Sequence, residues 1–151
     1  MKKNEITTIS VEETWSVAGE FIAGLLSRPK KSKATLICLW GDLGSGKTAF
    51  TQGLGRELGV KENLNSPTFL IMKKYVSLGE YKNLSLFHFD TYRISDKEDI
   101  LNLGWAEILE DENNIVVVEW PEKIAEILPS VRIDVHFVVL SENSRRIIFD
   151  A

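Results

Sequence analysis

The sequence predicts an α/β fold: a mainly parallel sheet flanked by helices, finished by an antiparallel hairpin at the C-terminal end. Three observations carry this expectation. The runs "ATLICLW" (34–40) and "IVVVEW" (115–120) are apolar without polar alternation, as strands covered on both faces of a parallel sheet are. The glycine-rich stretch "GDLGSGKT" (41–48) joins the first of these runs to an amphipathic helical pattern. The tail alternates Val131, Ile133, Val135, Phe137 and Val139 with Arg132, Asp134 and His136, then turns at "SENS" into "RRIIF", the pattern of a hairpin.

The elements follow in order. Ser10 and Glu13 have capping-box spacing, and Val11, Trp15, Ala18, Ile22, Leu25 and Leu26 fall on one stripe of a first helix that stops before Pro29. "PKKSK" (29–33) is a solvated basic loop. After the strand at 34–40 and the glycine-rich stretch, "TAFTQGLGRELG" reads as a helix closing at Gly59, with Phe50, Leu54 and Leu58 on its inner face. "FLIMKKYVS" and "LSLFHFD" read as two strands joined by the polar "LGEYKN". Ser95 and Glu98 form a second capping-box pair, opening a short helix that ends near Gly104. Pro121 is placed to start a helix after the strand at 115–120.

Bulk composition narrows the function. With 151 residues, 44% hydrophobic and 26% charged, residues 1–151 are expected to form a single domain. A net charge of −4 argues against a protein that grips nucleic acid unaided, because phosphate neutralisation needs a basic surface. The one cysteine, Cys38, sits inside an apolar run and reads as a small buried hydrophobe of a reducing compartment. "MKKNEITTIS" lacks an apolar segment after its lysines, and no stretch is long enough to span a membrane, so a cytoplasmic protein is expected.

Gly41, Gly46, Lys47 and Thr48 satisfy G-x-x-x-x-G-K-[ST], the P-loop pattern, in the strand–loop–helix context that the pattern requires. The physics explains the composition. Glycines let successive N–H groups converge on phosphate oxygens where a helix N-terminus points, so Gly41, Asp42, Leu43, Gly44, Ser45, Gly46 and Ala49 are candidate nucleotide contacts. Lys47 would reach the β- and γ-phosphates, and the Thr48 hydroxyl would ligate Mg²⁺. A P-loop NTPase-like fold follows. No N-K-x-D segment is present to read guanine, so ATP is the expected nucleotide.

The metal needs a carboxylate from a strand end, and Asp90 and Glu119 each close an apolar run. Spacing does not divide their roles: both could meet Mg²⁺, or one could hold it while the other orients water. "SPTF" (66–69) leaves the P-loop helix where switch segments sense a γ-phosphate, although by spacing alone it reads as a plain loop. His88 and His136 read as packed or exposed polar residues, and Trp105 and Trp120 as core or helix-flank residues.

With these residues in hand, the chain resembles the bacterial TsaE (YjeE) family of P-loop ATPases nearly end to end. The resemblance rests on "SVEETWSVAGEFIAGLL", "GDLGSGKTAF", "SPTF", "HFDTYR" and "VEWPE", in the family's order. It implies an ATPase that works with TsaB and TsaD to make N6-threonylcarbamoyladenosine at position 37 of tRNA, touching tRNA only through those partners. It also implies that Lys47 and Thr48 hold phosphates and metal, that Thr68 belongs to a switch-like segment, that Asp90 and Glu119 serve Mg²⁺ and hydrolysis, and that Trp120 lies close to the nucleotide. Ser45, Ala49 and Asn65 depart from the commoner family residues without removing a ligand.

Two other functions fit a P-loop chain of this size. A small-molecule kinase would need an arginine-rich lid, whereas residues 95–112 are acidic and hold no arginine. A nucleotide-dependent binding module would use the carboxylates only to hold metal.

Overall fold

A computed structural model describes residues 4–29, 31–64 and 70–150. Its strands are β1 (Asn4–Thr8), β2 (Thr35–Trp40), β3 (Met72–Val76), β4 (Ser85–Asp90), β5 (Asn114–Glu119), β6 (Ile133–Val139) and β7 (Arg145–Asp150). The helices are α1 (Val11–Leu26), α2 (Lys47–Glu57), α3 (Glu98–Leu101) and α4 (Trp105–Glu110), with 3₁₀ segments at Gly79–Tyr81 and Pro121–Ile127. The seven strands form one sheet in the order β1-β7-β6-β2-β5-β4-β3. Its middle, β6-β2-β5-β4, is parallel; β7, β1 and β3 add antiparallel edges.

Strand alternation sorts the core into two faces. Ile37, Leu39, Leu86, Val117 and Val135 pack with Ala18 and Ile22 of α1 and with Phe50 and Leu54 of α2. Cys38, Phe87, Phe89, Val116 and Val118 pack on the opposite face with Ile100, Trp105 and Ile124. Cover on both faces is why β2 and β5 carry no polar alternation. Burial also pushes the Cys38 thiol up to about 12, which keeps it protonated and inert.

The α1 cap forms as expected, with Ser10 Oγ accepting from Glu13 N–H at 3.1 Å. Gly59, in the left-handed region at φ 76°, follows α2. One strand goes unannounced by the sequence, and four expectations are corrected. β1 reads as polar sequence because its burial pattern is exposed over four of five residues; it is an edge strand held by pairing with β7. Ser95 caps nothing: Asp96 Oδ1 accepts from Glu98 N–H at 3.0 Å, and α3 ends at Leu101. Gly104 then opens α4 rather than closing a helix, in the left-handed conformation at φ 88°. Pro121 starts a 3₁₀ segment broken at Ile124, not an α-helix. Val11, assigned to the inner stripe of α1, is 50% exposed.

Among the described residues no helix is long and apolar enough to cross a membrane.

Candidate nucleotide site

The site lies where β2 ends and α2 begins. Gly46 caps α2 at φ 108°, a conformation that side-chain-bearing residues avoid, and it directs the first amides of α2 into the loop. A Cβ at Gly41 would meet Ser45 Oγ at 2.6 Å and the Phe137 carbonyl at 3.0 Å, so only glycine fits where the loop passes β6. The loop floors a cavity of about 610 Å³ whose walls come from the starts of α1 and α2, the ends of β4 and β5, and the β6–β7 hairpin.

Lys47 is the first residue of α2 and is 4% exposed. Its Nζ donates to the Gly41 carbonyl at 2.6 Å and stands 3.3 Å from the centre of the Trp120 ring. Burial pushes its pKa down, opposed by the carboxylates of Glu119, Glu122, Asp90 and Asp42. The ammonium is thus folded back on its own loop, lodged between a carbonyl and an aromatic face.

Trp120 reaches that position through its backbone. Its φ of 61° is the only positive value at a non-glycine among the described residues. A bulky residue there costs on the order of 1–3 kcal/mol and needs outside support. Thr91 supplies it: its hydroxyl reaches the carbonyls of Glu119 and Trp120, and its N–H donates to the Glu119 carbonyl at 3.2 Å. Tyr92 packs against the same indole with its ring tilted by 48°, 4.9 Å between ring centres.

Asp90 and Glu119 are register partners at the ends of parallel strands β4 and β5. Alternation places both on the sheet face that carries α1 and α2, because His88 and Val117, two residues earlier, point the same way. Glu119 is 3% exposed; its Oε1 accepts from the Thr48 hydroxyl at 3.5 Å, and its Oε2 lies 2.5 Å from His88 Nε2. With Nε2–H donating to the carboxylate, the buried His88 Nδ1 has no partner among the described residues. Asp90 sits further out, with Oδ1 accepting from Tyr92 N–H at 3.1 Å. Burial raises the Asp90 pKa; the Tyr92 N–H opposes the rise and the neighbouring Glu119 adds to it.

The donor set suits Mg²⁺. It consists of hard oxygens, the Thr48 hydroxyl and one or two carboxylates, and among the described residues no cluster of three or more His, Cys, Asp or Glu could cage a metal alone. Mg²⁺ is bound in that way, by few carboxylates with phosphates completing its shell.

Of the residues expected to contact nucleotide or metal, Leu43, Gly44, Gly46, Lys47, Thr48, Ala49, Asp90, Glu119 and Trp120 line the cavity. Gly41, Asp42 and Ser45 do not: Gly41 acts through its carbonyl on Lys47, the Asp42 carbonyl accepts from Ser45 N–H, and Ser45 Oγ is buried without a partner among the described residues. Thr68 and the rest of "SPTF" lie outside the described residues. Trp105 is core, edge-on to Phe89. Residues 98–110 pack Ile100 and Trp105 into the far face of the sheet.

Two side-chain contacts at the site were not legible in the sequence. His88 is a packed polar residue, as expected, and its partner is Glu119 on the neighbouring strand. Arg145 Nη2 donates to the Gly44 carbonyl at 3.1 Å, a contact across 101 residues of sequence that no local pattern announces.

The model of the family described as "Threonylcarbamoyl adenosine biosynthesis protein TsaE" matches residues 8–147. The chain is 34% identical over 151 residues to the tRNA threonylcarbamoyladenosine biosynthesis protein TsaE of Bacillus subtilis (strain 168), covering 100% of this chain and 87% of the relative. It is 33% identical over 115 residues to the protein of the same name from Treponema pallidum (strain Nichols), covering 76% and 81%. The crystal structure of Bacillus subtilis YdiB is similar with a TM-score of 0.73 and 28% identity, covering 98% of this chain and 84% of that one.

Proposed function

The chain belongs to the TsaE family of threonylcarbamoyl adenosine biosynthesis, and on that premise we propose that it binds ATP with Mg²⁺ over the 41–48 loop and hydrolyses the β–γ bond. The observation that carries this reading is a convergence. The Thr48 hydroxyl, at the second residue of α2, meets the Glu119 carboxylate from the end of β5 at 3.5 Å, beside the Lys47 ammonium. That is one metal-ligating pair and one phosphate-binding cation, gathered from two stretches of sequence about 70 residues apart.

Mg²⁺, held by Thr48 and Glu119, would neutralise charge developing on the β- and γ-phosphate oxygens. The chain's residues do the rest. Amides of residues 44–48 bind phosphate oxygens, and Lys47 leaves Gly41 and Trp120 to pair with the triphosphate. Asp90, on the open side of Glu119, orients the water whose oxygen attacks the γ-phosphorus as the bridging oxygen departs with ADP.

Lys47 supports a switch. In the folded-back arrangement its ammonium is engaged by the Gly41 carbonyl and the Trp120 ring, so nucleotide capture requires it to leave both, and the indole is then free to change position with the state of the loop. The partners of the cycle are TsaB and TsaD, tRNA being reached through them in the cytoplasm. The kinase alternative loses ground because residues 98–110 pack on the far side of the sheet and provide no lid.

ATP turnover by the pure protein, measured with and without TsaB and TsaD, tests the proposal. Slow turnover that rises with the partners is expected. Fast turnover indifferent to them contradicts the switch.

A further inference from the structure

Trp120 holds a conformation that its own sequence opposes. Its φ of 61° and ψ of 50° are left-handed, where a bulky side chain crowds the backbone. The next residue is Pro121, whose ring drives the residue before it toward extended backbone. Under local forces alone residue 120 would swing to negative φ and carry its indole away from Lys47.

The restraint converges on one main-chain oxygen. The Trp120 carbonyl accepts from the Lys123 N–H at 3.1 Å and from the Thr91 hydroxyl. Lys123 belongs to the 3₁₀ segment that Trp120 caps, so its bond is local, whereas Thr91 is an anchor 29 residues away. Thr91 is fully buried and all three of its polar groups are engaged. Its N–H and hydroxyl meet the Glu119 carbonyl at 3.2 and 2.9 Å, and its own carbonyl accepts from the Ile94 N–H at 3.1 Å. The residue after it, Tyr92, packs on the same indole.

We propose that Thr91 is a positioning residue that acts through Trp120 on Lys47: its hydroxyl pins the indole where the ring holds the ammonium, and thereby sets how far Lys47 is withheld from a phosphate. The inference rests on nucleotide binding at the P-loop and adds a control to it. Phosphate capture must break the contact between Lys47 Nζ and the Trp120 ring, 3.3 Å to its centre, so whatever stabilises that contact lowers apparent affinity. Valine has the shape of threonine without the donor, so T91V removes the pin alone, and T91S keeps it.

The first arm of the test uses no ligand. Tryptophan emission is recorded for the full chain, T91S, T91V, K47M and T91V/K47M, each against its W120F counterpart, so that only Trp120 is read. The unchanged protein and T91S are expected to share one Trp120 spectrum. T91V and K47M are expected to shift it in the same direction, and the double variant to shift it no further than K47M. In the second arm, calorimetry with Mg²⁺ and inorganic tripolyphosphate, which has no ring to touch the indole, is expected to show T91V binding about three- to tenfold more tightly and T91S within about twofold of the unchanged protein. A T91V protein whose Tm falls while its Trp120 emission and tripolyphosphate affinity stay put makes Thr91 structural only and overturns the proposal. Weaker tripolyphosphate binding by T91V, or equal changes in T91S and T91V, also overturns it. Failure of the unchanged protein to bind ATP with Mg²⁺ would instead remove the P-loop reading, which the ligand-free arm tells apart from failure of the pin.

Discussion

Asp90 and Glu119 occupy equivalent places, side by side at the ends of adjacent parallel strands, yet their surroundings differ in kind. Glu119 is enclosed, with one oxygen on His88 and the other facing Thr48. Asp90 is half-buried at the cavity wall, with one oxygen on the Tyr92 amide. Sheet register delivers a carboxylate to the site; the neighbours of that carboxylate decide its task. A fixed, enclosed acid beside the P-loop hydroxyl suits metal binding, and an open one with a free oxygen suits water.

The largest expected consequence of this asymmetry is kinetic. Glu119→Gln should lower the hydrolysis rate by about 10²–10³-fold, the range for losing one group that acts mainly in the transition state. ATP binding should be weakened far less. Asp90→Asn should cost only about tenfold, since water can partly replace a half-exposed group and ~1.4 kcal/mol corresponds to tenfold. Single-turnover assays on both variants check the order. If both variants bind ATP and still support tRNA modification with TsaB and TsaD, hydrolysis is dispensable and the chain is a binding module.

Stability sharpens the comparison from another side. His88→Ala leaves the Glu119 carboxylate enclosed without its partner and should cost ~1–3 kcal/mol, read as a fall in Tm of about 2–4 °C for each kcal/mol in a chain of this size. Thermal melts at neutral pH measure it.

Asp90 should behave in the opposite sense, with the smallest effect. Its folded-state pKa lies above its unfolded value because burial disfavours the charge, so folding is penalised where the carboxylate is ionised. The penalty is absent below the unfolded pKa and complete above the folded one. Asp90→Asn should therefore raise Tm at neutral pH, and the gain should shrink as pH falls through the raised folded-state pKa and be gone below the ordinary value of 3.8. A gain that persists at low pH would assign it to packing.

The same contrast between local and long-range causes decides how much was legible in the sequence. Core strands β2 and β5, the P-loop and helix α2 announce themselves because their signals are local: unbroken apolar runs, glycine spacing and a helical stripe. Both strand-end acids were visible for that reason. β1 was not, since an edge strand needs only main-chain pairing with β7 and leaves little mark on side-chain choice. The His88–Glu119 pair spans 31 residues and the Arg145–Gly44 contact 101, and both exist only because the sheet order brings those ends together. Trp120 shows the limit most plainly. Its proximity to Lys47 depends on a left-handed backbone held by Thr91, which no propensity would assign to tryptophan.

The most direct measurement is a crystal structure with Mg²⁺ and a non-hydrolysable ATP analogue. The expected result has Lys47 Nζ gone from Gly41 and Trp120 and lodged on the triphosphate, with the metal bonded to Thr48 and Glu119. A triphosphate bound away from residues 41–48, or a metal held by Asp90 without Glu119 while Lys47 still rests on Trp120, would contradict it.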